Sequence, residues 1–145
     1  MRRTTLFSSL LTFVGCSSQT IDEQTTRSLE NTITEASKTS GHFELRRVDA
    51  IQWDRAVIFA PYTPIRSMSS HIVMDQRVTS SGIDSRDDIS LIVFLRSDSV
   101  ISVVLMPRAV LDFAPLAGEA LSPADCILIS SGSHPKASIG RGCNK

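Results

Sequence analysis

Two apolar runs in the second half of the chain constrain the fold more than any other feature. Leu91-Ile92-Val93-Phe94-Leu95 is followed by four polar residues, Arg96-Ser97-Asp98-Ser99, and then by Val100-Ile101-Ser102-Val103-Val104-Leu105-Met106. Two β-branched stretches joined by a short polar connection predict an antiparallel hairpin. Both runs are apolar on successive residues rather than alternate ones, so both faces of the pair need cover. A chain of 145 residues must therefore supply layers for two sides of one sheet. Pro107 ends the second strand, because proline cannot donate to a ladder.

The segments that could provide this cover are readable from their periodicity. Thr20-x-x-Glu23 has the form of a capping box, and Asp22 and Glu23 suit the positive end of a helix dipole. Ile21, Thr25, Leu29, Ile33 and Ala36 follow at helical spacing on one thin stripe, and Gly41 is a natural stop. Phe43-Glu44-Leu45 alternates as a half-buried strand does, and Arg46-Arg47 breaks it as a solvated charge pair. Residues 56–60 form an apolar strand ended by Pro61. Pro64 opens a short helix reaching Met74, with Ile65, Met68 and Ile72 on one side. Residues 80–88 read as a polar loop, residues 110–114 as a short strand, residues 116–123 as turns, and residues 126–130 as the last strand. The class is α+β: an antiparallel β-sheet with an N-terminal helix and one short helix packed on it.

The amino terminus reads as an address. Met1-Arg2-Arg3 is a short basic start, and residues 6–14 are mostly apolar, diluted by Ser8, Ser9 and Thr12. Basic region, short apolar region and small-residue boundary are the layout of a secretory signal, too short to span a bilayer. The ending Phe13-Val14-Gly15-Cys16 resembles the lipobox of bacterial lipoproteins, with Phe13 standing where Leu is usual. The resemblance implies cleavage before Cys16 and acylation of that residue. It also implies that Ser17, where an Asp would favour inner-membrane retention in enteric bacteria, points to the outer membrane. Residues 1–15 are then a signal peptide, 16–20 a lipid-anchored tether and 21–145 a single α+β domain. Removing Arg2 and Arg3, two of the 15 basic side chains, against 15 acidic ones leaves a formal charge of −2. That balance gives no footing for nucleic acid.

With Cys16 carrying lipid, Cys126 and Cys143 remain in an oxidising compartment, where an even pair reads as a disulfide. The bridge would pin a tail over residues 130–145. A second resemblance lies in Trp53-Asp54-Arg55-Ala56-Val57-Ile58-Phe59-Ala60-Pro61-Tyr62-Thr63-Pro64, which holds the single Trp and the single Tyr. It is similar to a segment of small bacterial lipoproteins of unknown function, with Asp112-Phe113 following at a familiar distance. This implies class and location and no activity. The two rings either pack in the core or form an exposed partner-binding pair, since Trp and Tyr are enriched in interface hot spots.

Chemistry-bearing patterns are weak. Ser131-Gly132-Ser133-His134 is followed by Pro135 and reads as a turn, and no G-x-S-x-G elbow occurs. His42, His71 and His134 lack metal-ligand spacing. Asp84, Asp87 and Asp88 miss the alternation of a calcium loop. Gly140-Arg141-Gly142 lacks the lysine and helix of a phosphate loop. No catalytic residue, metal or cofactor is assigned. The expectation is a bacterial envelope lipoprotein, lipid-anchored and facing the periplasm, that acts as a non-catalytic binding or structural module with a protein partner there. An immunity protein against a delivered toxin and a small envelope hydrolase are the alternatives.

Overall fold

The computed structural model describes residues 20–140 and Cys143. In chain order they form α1 (Ile21–Lys38), β1 (His42–Glu44), β2 (Arg55–Phe59), α2 (Ser70–Val73), α3 (Gln76–Thr79), β3 (Ile89–Arg96), β4 (Ser99–Pro107), β5 (Ala120–Leu121), β6 (Cys126–Ile129) and β7 (Ala137–Gly140). Single 3-10 turns lie at Leu45–Arg47, Ile65–Ser67 and Ala114–Leu116. The strands make two antiparallel sheets, ordered β4-β3-β2-β5 and β1-β6-β7. The architecture is α+β, as the sequence pattern implies.

The hairpin of β3 and β4 forms with Ser97 and Asp98 at the turn and Arg96 paired to Ser99 at the strand ends. Ile92 faces Val104 and Val93 faces Val103, and the register shifts beyond Phe94, so that Leu95 faces Val100. Seven of the eight residues of β3 are buried. Its alternate side chains enter two separate cores. Ile92 and Phe94 point to one side, where they meet Leu29, Ile33 and Ala36 of α1 and Phe43 and Ile127 of the smaller sheet. Leu91, Val93 and Leu95 point to the other, against Met68, Ile72, Val78 and Ile83. The result is three layers with the four-stranded sheet in the middle. Each Leu, Ile or Phe so buried contributes about 1.5–3 kcal/mol, which is why an all-apolar strand goes to the centre.

α1 forms as its sequence specifies. The Thr20 hydroxyl accepts from the Glu23 N–H at 3.2 Å, and the Glu23 carboxylate accepts from the Thr20 N–H at 3.2 Å. At the other end Gly41, with φ of +68°, turns its N–H back to the Ala36 carbonyl at 2.7 Å. Thr25, Leu29, Ile33 and Ala36 are buried as the stripe requires, but Ile21 is 52% exposed.

Four expectations are corrected. Residues 116–123 are not turns throughout, because β5 lies among them and pairs with β2. The helix expected from Pro64 to Met74 is a 3-10 turn and then α2, with α3 beyond it. Met68 and Ser69 between them are extended, with ψ of 159° and 145°. The Ser67 hydroxyl donates to the Pro64 carbonyl at 2.7 Å, a local bond of the kind that competes with helix propagation. Ile65, Met68 and Ile72 still share one side, on the second core. Residues 110–114 are not a strand. The Asp112 carboxylate accepts from the Ala114 N–H at 3.0 Å and turns the chain into a 3-10 turn, leaving one backbone bridge from Asp112 to Lys136. The segment after residue 130 is not simply a tail, because β7 pairs with β6 along four residues.

Cys126 of β6 and Cys143 are joined, with their Cα atoms 5.4 Å apart and 17 residues between them in sequence. A loop of that size contributes about 3 kcal/mol in the chain-entropy account. Reduction should lower the unfolding free energy by roughly that amount, measured by urea denaturation with and without reductant. Both thiols should resist alkylation until reduced.

Candidate functional site

A cleft of about 520 Å³ lies between the first turns of α1 and the outer side of β4. β4 has a sheet neighbour on one side only, so its other backbone edge needs partners. Asp22 provides them. Its Oδ1 accepts from the Val103 N–H at 2.9 Å, from the Ser102 hydroxyl at 2.8 Å and from Arg77 Nη1 at 3.0 Å. Arg77, on α3, donates also to the Ile101 and Val100 carbonyls, at 3.4 and 3.3 Å. The same guanidinium grips Asp75 through Nε at 3.0 Å and Nη2 at 2.7 Å. Asp75 in turn caps α3 by accepting from the Arg77 N–H at 2.9 Å.

Asp22, Arg77 and Asp75 thus tie α1, the edge of β4 and α3 into one knot. The hydrogen bonds from Arg77 hold the Asp75 carboxyl below the ordinary carboxylate range, outweighing the opposing effect of burial. Arg77 is held above its own ordinary value by Asp75 first. Glu23, Glu30 and Arg27 complete the polar wall, and Val103 and Leu105 lie below. Acid and base are nearly balanced, so the cleft suits a polar surface of mixed charge rather than a polyanion.

The sequence-selected residues fall elsewhere. Trp53 is half-buried, its ring edge-on to Phe94 at 5.0 Å, and its Nε1–H donates to the Val48 carbonyl at 3.2 Å. Its neighbour Asp54 accepts from the Ser97 N–H at 2.7 Å and closes the β3–β4 turn. Tyr62 lies past the other end of β2, 59% exposed, with φ of +62°. Its N–H donates to the Ile83 carbonyl at 2.8 Å, which holds this left-handed backbone in place. The structure therefore does not bring Trp53 and Tyr62 together; β2 separates them. Cys16 lies outside the described residues, as do Arg141 and Gly142.

The histidines are likewise dispersed. His42 is on β1 with Nδ1 3.0 Å from the Ser40 carbonyl oxygen, and His71 is on α2. His134 lines a cleft of about 330 Å³ with Arg108, Asp112 and Lys136, whereas Ser131 and Gly132 line a different one beside Ser37 and Gly41. Arg108 donates to both Asp112 oxygens, at 3.0 and 2.8 Å, and lowers that carboxyl's pKa. Asp88 pairs with Arg86 at 2.6 Å. Among the described residues, no group of three or more His, Cys, Asp or Glu is placed to hold a metal ion, and no helix is long and apolar enough to cross a membrane.

The chain matches no family model, no curated protein and no solved structure.

The knot was not legible in sequence. Asp22 signals only a helix start, and its partners lie 55 and 80 residues away. Asp22→Ala should cost about 1–3 kcal/mol, because it leaves the Val103 N–H without its acceptor, and Asp22→Asn should cost less. Urea midpoints at constant m check this. Asp75, with its pKa depressed in the fold, stabilises the protein above the unfolded carboxylate value of about 3.9, and that contribution disappears as pH falls below it. Asp75→Asn should therefore lose less thermal stability than the parent chain on acidification from pH about 4 to about 2.

Proposed function

We propose that this chain is a bacterial envelope lipoprotein, held to a membrane by an acylated Cys16, whose folded part is a non-catalytic binding or structural module facing the periplasm. The observation that carries the reading is the Cys126–Cys143 bond on a domain preceded by a basic, apolar and Gly15-Cys16 leader. Structural disulfides persist in oxidising compartments, and such a leader is a route to one. Ser17 after the cysteine favours the outer membrane.

The surface offered to a protein partner is the Tyr62 end of β2. Tyr62 is an exposed aromatic with few rotatable bonds, fixed by its backbone bond to Ile83, so little freedom is lost when a partner covers it. Trp53 serves the fold instead, through Phe94 and Val48.

Mass spectrometry of the detergent-extracted protein tests the reading. The expected amino terminus is Cys16 bearing acyl chains, and Cys16→Ser should abolish palmitate incorporation. An intact Met1 terminus on cytosolic protein would overturn the proposal.

A further inference from the structure

We infer that the surface around the first turn of α1, bearing Ile21 and Met74, rests in the headgroup layer of the bilayer that holds the Cys16 lipid. The inference depends on the lipoprotein reading and adds which face meets the membrane. Thr20 is four residue steps beyond Cys16, and a chain extends at most about 3.6 Å per step, so the start of α1 stays within about 14 Å of the acylated residue. The headgroup region beside a hydrocarbon core is itself about 5–8 Å deep on each side. A tether this short keeps the first turn of α1 within reach of the headgroup layer.

That turn carries unspent apolar surface. Ile21 continues the buried stripe of Thr25 and Leu29 one turn further, yet it is 52% exposed, beyond the sheet that covers the others. Met74 is 86% exposed, the most exposed large apolar side chain among the described residues. It precedes Asp75, which Arg77 ties to Asp22, the residue after Ile21. The knot thus brings the two apolar side chains to one end of the molecule. It also pairs the two carboxylates with a guanidinium, so the approach to lipid brings no isolated acid from Asp22 or Asp75. Methionine is unbranched and adaptable, and apolar side chains beside charged ones are the composition of surfaces that settle about 5–10 Å into a membrane boundary. The opposite end of α1, where Ser37 and Gly41 lie beside Ser131, is about 27 Å away along an 18-residue helix.

The test uses the full lipidated chain reconstituted in phosphatidylethanolamine–phosphatidylglycerol vesicles, with and without brominated acyl chains. An environment-sensitive fluorophore is placed on Met74→Cys, and separately on Ser131→Cys at the far end of α1. Met74 is too exposed for its replacement to disturb the core. The expected result is at least about a twofold loss of emission from the residue-74 probe in brominated vesicles and none from the residue-131 probe. Acylation of Cys16 is verified by mass on the same sample. An acylated chain with no quenching at residue 74, or with equal quenching at both positions, overturns this inference and leaves the lipoprotein reading standing. An unmodified Cys16 overturns both.

Discussion

Burial of β3 on both faces is the constraint from which the rest of the structure follows. A strand that is apolar at successive positions cannot leave either face in water without losing about 25 cal/mol for each Å² of apolar surface left uncovered. The molecule answers with two unlike covers. On one side α1 and the three-stranded sheet enclose Ile92 and Phe94. On the other, the short helices α2 and α3 and the loop through Ile83 enclose Leu91, Val93 and Leu95. Ser90 is the polar residue admitted to this strand's interior, fully buried with no hydrogen-bond partner for its hydroxyl among the described residues.

A central strand needs edges on either side of it, and edges bring their own problem. At one end of the sheet β5 is two residues long, too short to offer a pairing surface. At the other, β4 is nine residues long, and its exposed backbone is occupied by Asp22 and Arg77. The register shift between Phe94 and Leu95 lies opposite the same stretch of β4, residues 100–102, whose backbone and hydroxyl groups these two side chains engage. The charges that blunt the edge also fasten the start of α1 to the sheet. If residue 16 carries lipid, any pull from the membrane passes through that knot into the central layer.

The segment that stands out most in the sequence turns out to be framework. Trp53 stacks edge-on against Phe94, Asp54 closes the turn of the central hairpin, and the Thr63 hydroxyl donates to the Ala60 carbonyl at 2.6 Å. Asp112 turns the chain after β4, and Phe113 fills the first core. These residues are distinctive because several backbone geometries depend on their particular side chains. Tyr62 is the exception, an exposed ring on a backbone conformation that residues other than glycine adopt at a cost of about 1–2 kcal/mol.

Whatever depends on neighbours a few residues apart was legible in the chain itself. The capping box and stripe define α1, successive apolar residues define the buried hairpin, and Pro61 marks the end of β2 because a proline has no N–H to give a ladder. The α+β class follows from these pieces, and the 126–143 cysteine pair was expected only through the reading that sets Cys16 aside for lipid. Tertiary structure alone decided the rest. It broke the expected helix after Pro64, drew residues 137–140 into a sheet, left Ile21 beyond its cover and set Trp53 and Tyr62 at opposite ends of one strand. It also joined Asp22 to groups 55 and 80 residues away. The reason is physical: local order depends on backbone hydrogen bonds and spacing within a turn or two, whereas a carboxylate's partners depend on which distant surfaces the buried strand forces together.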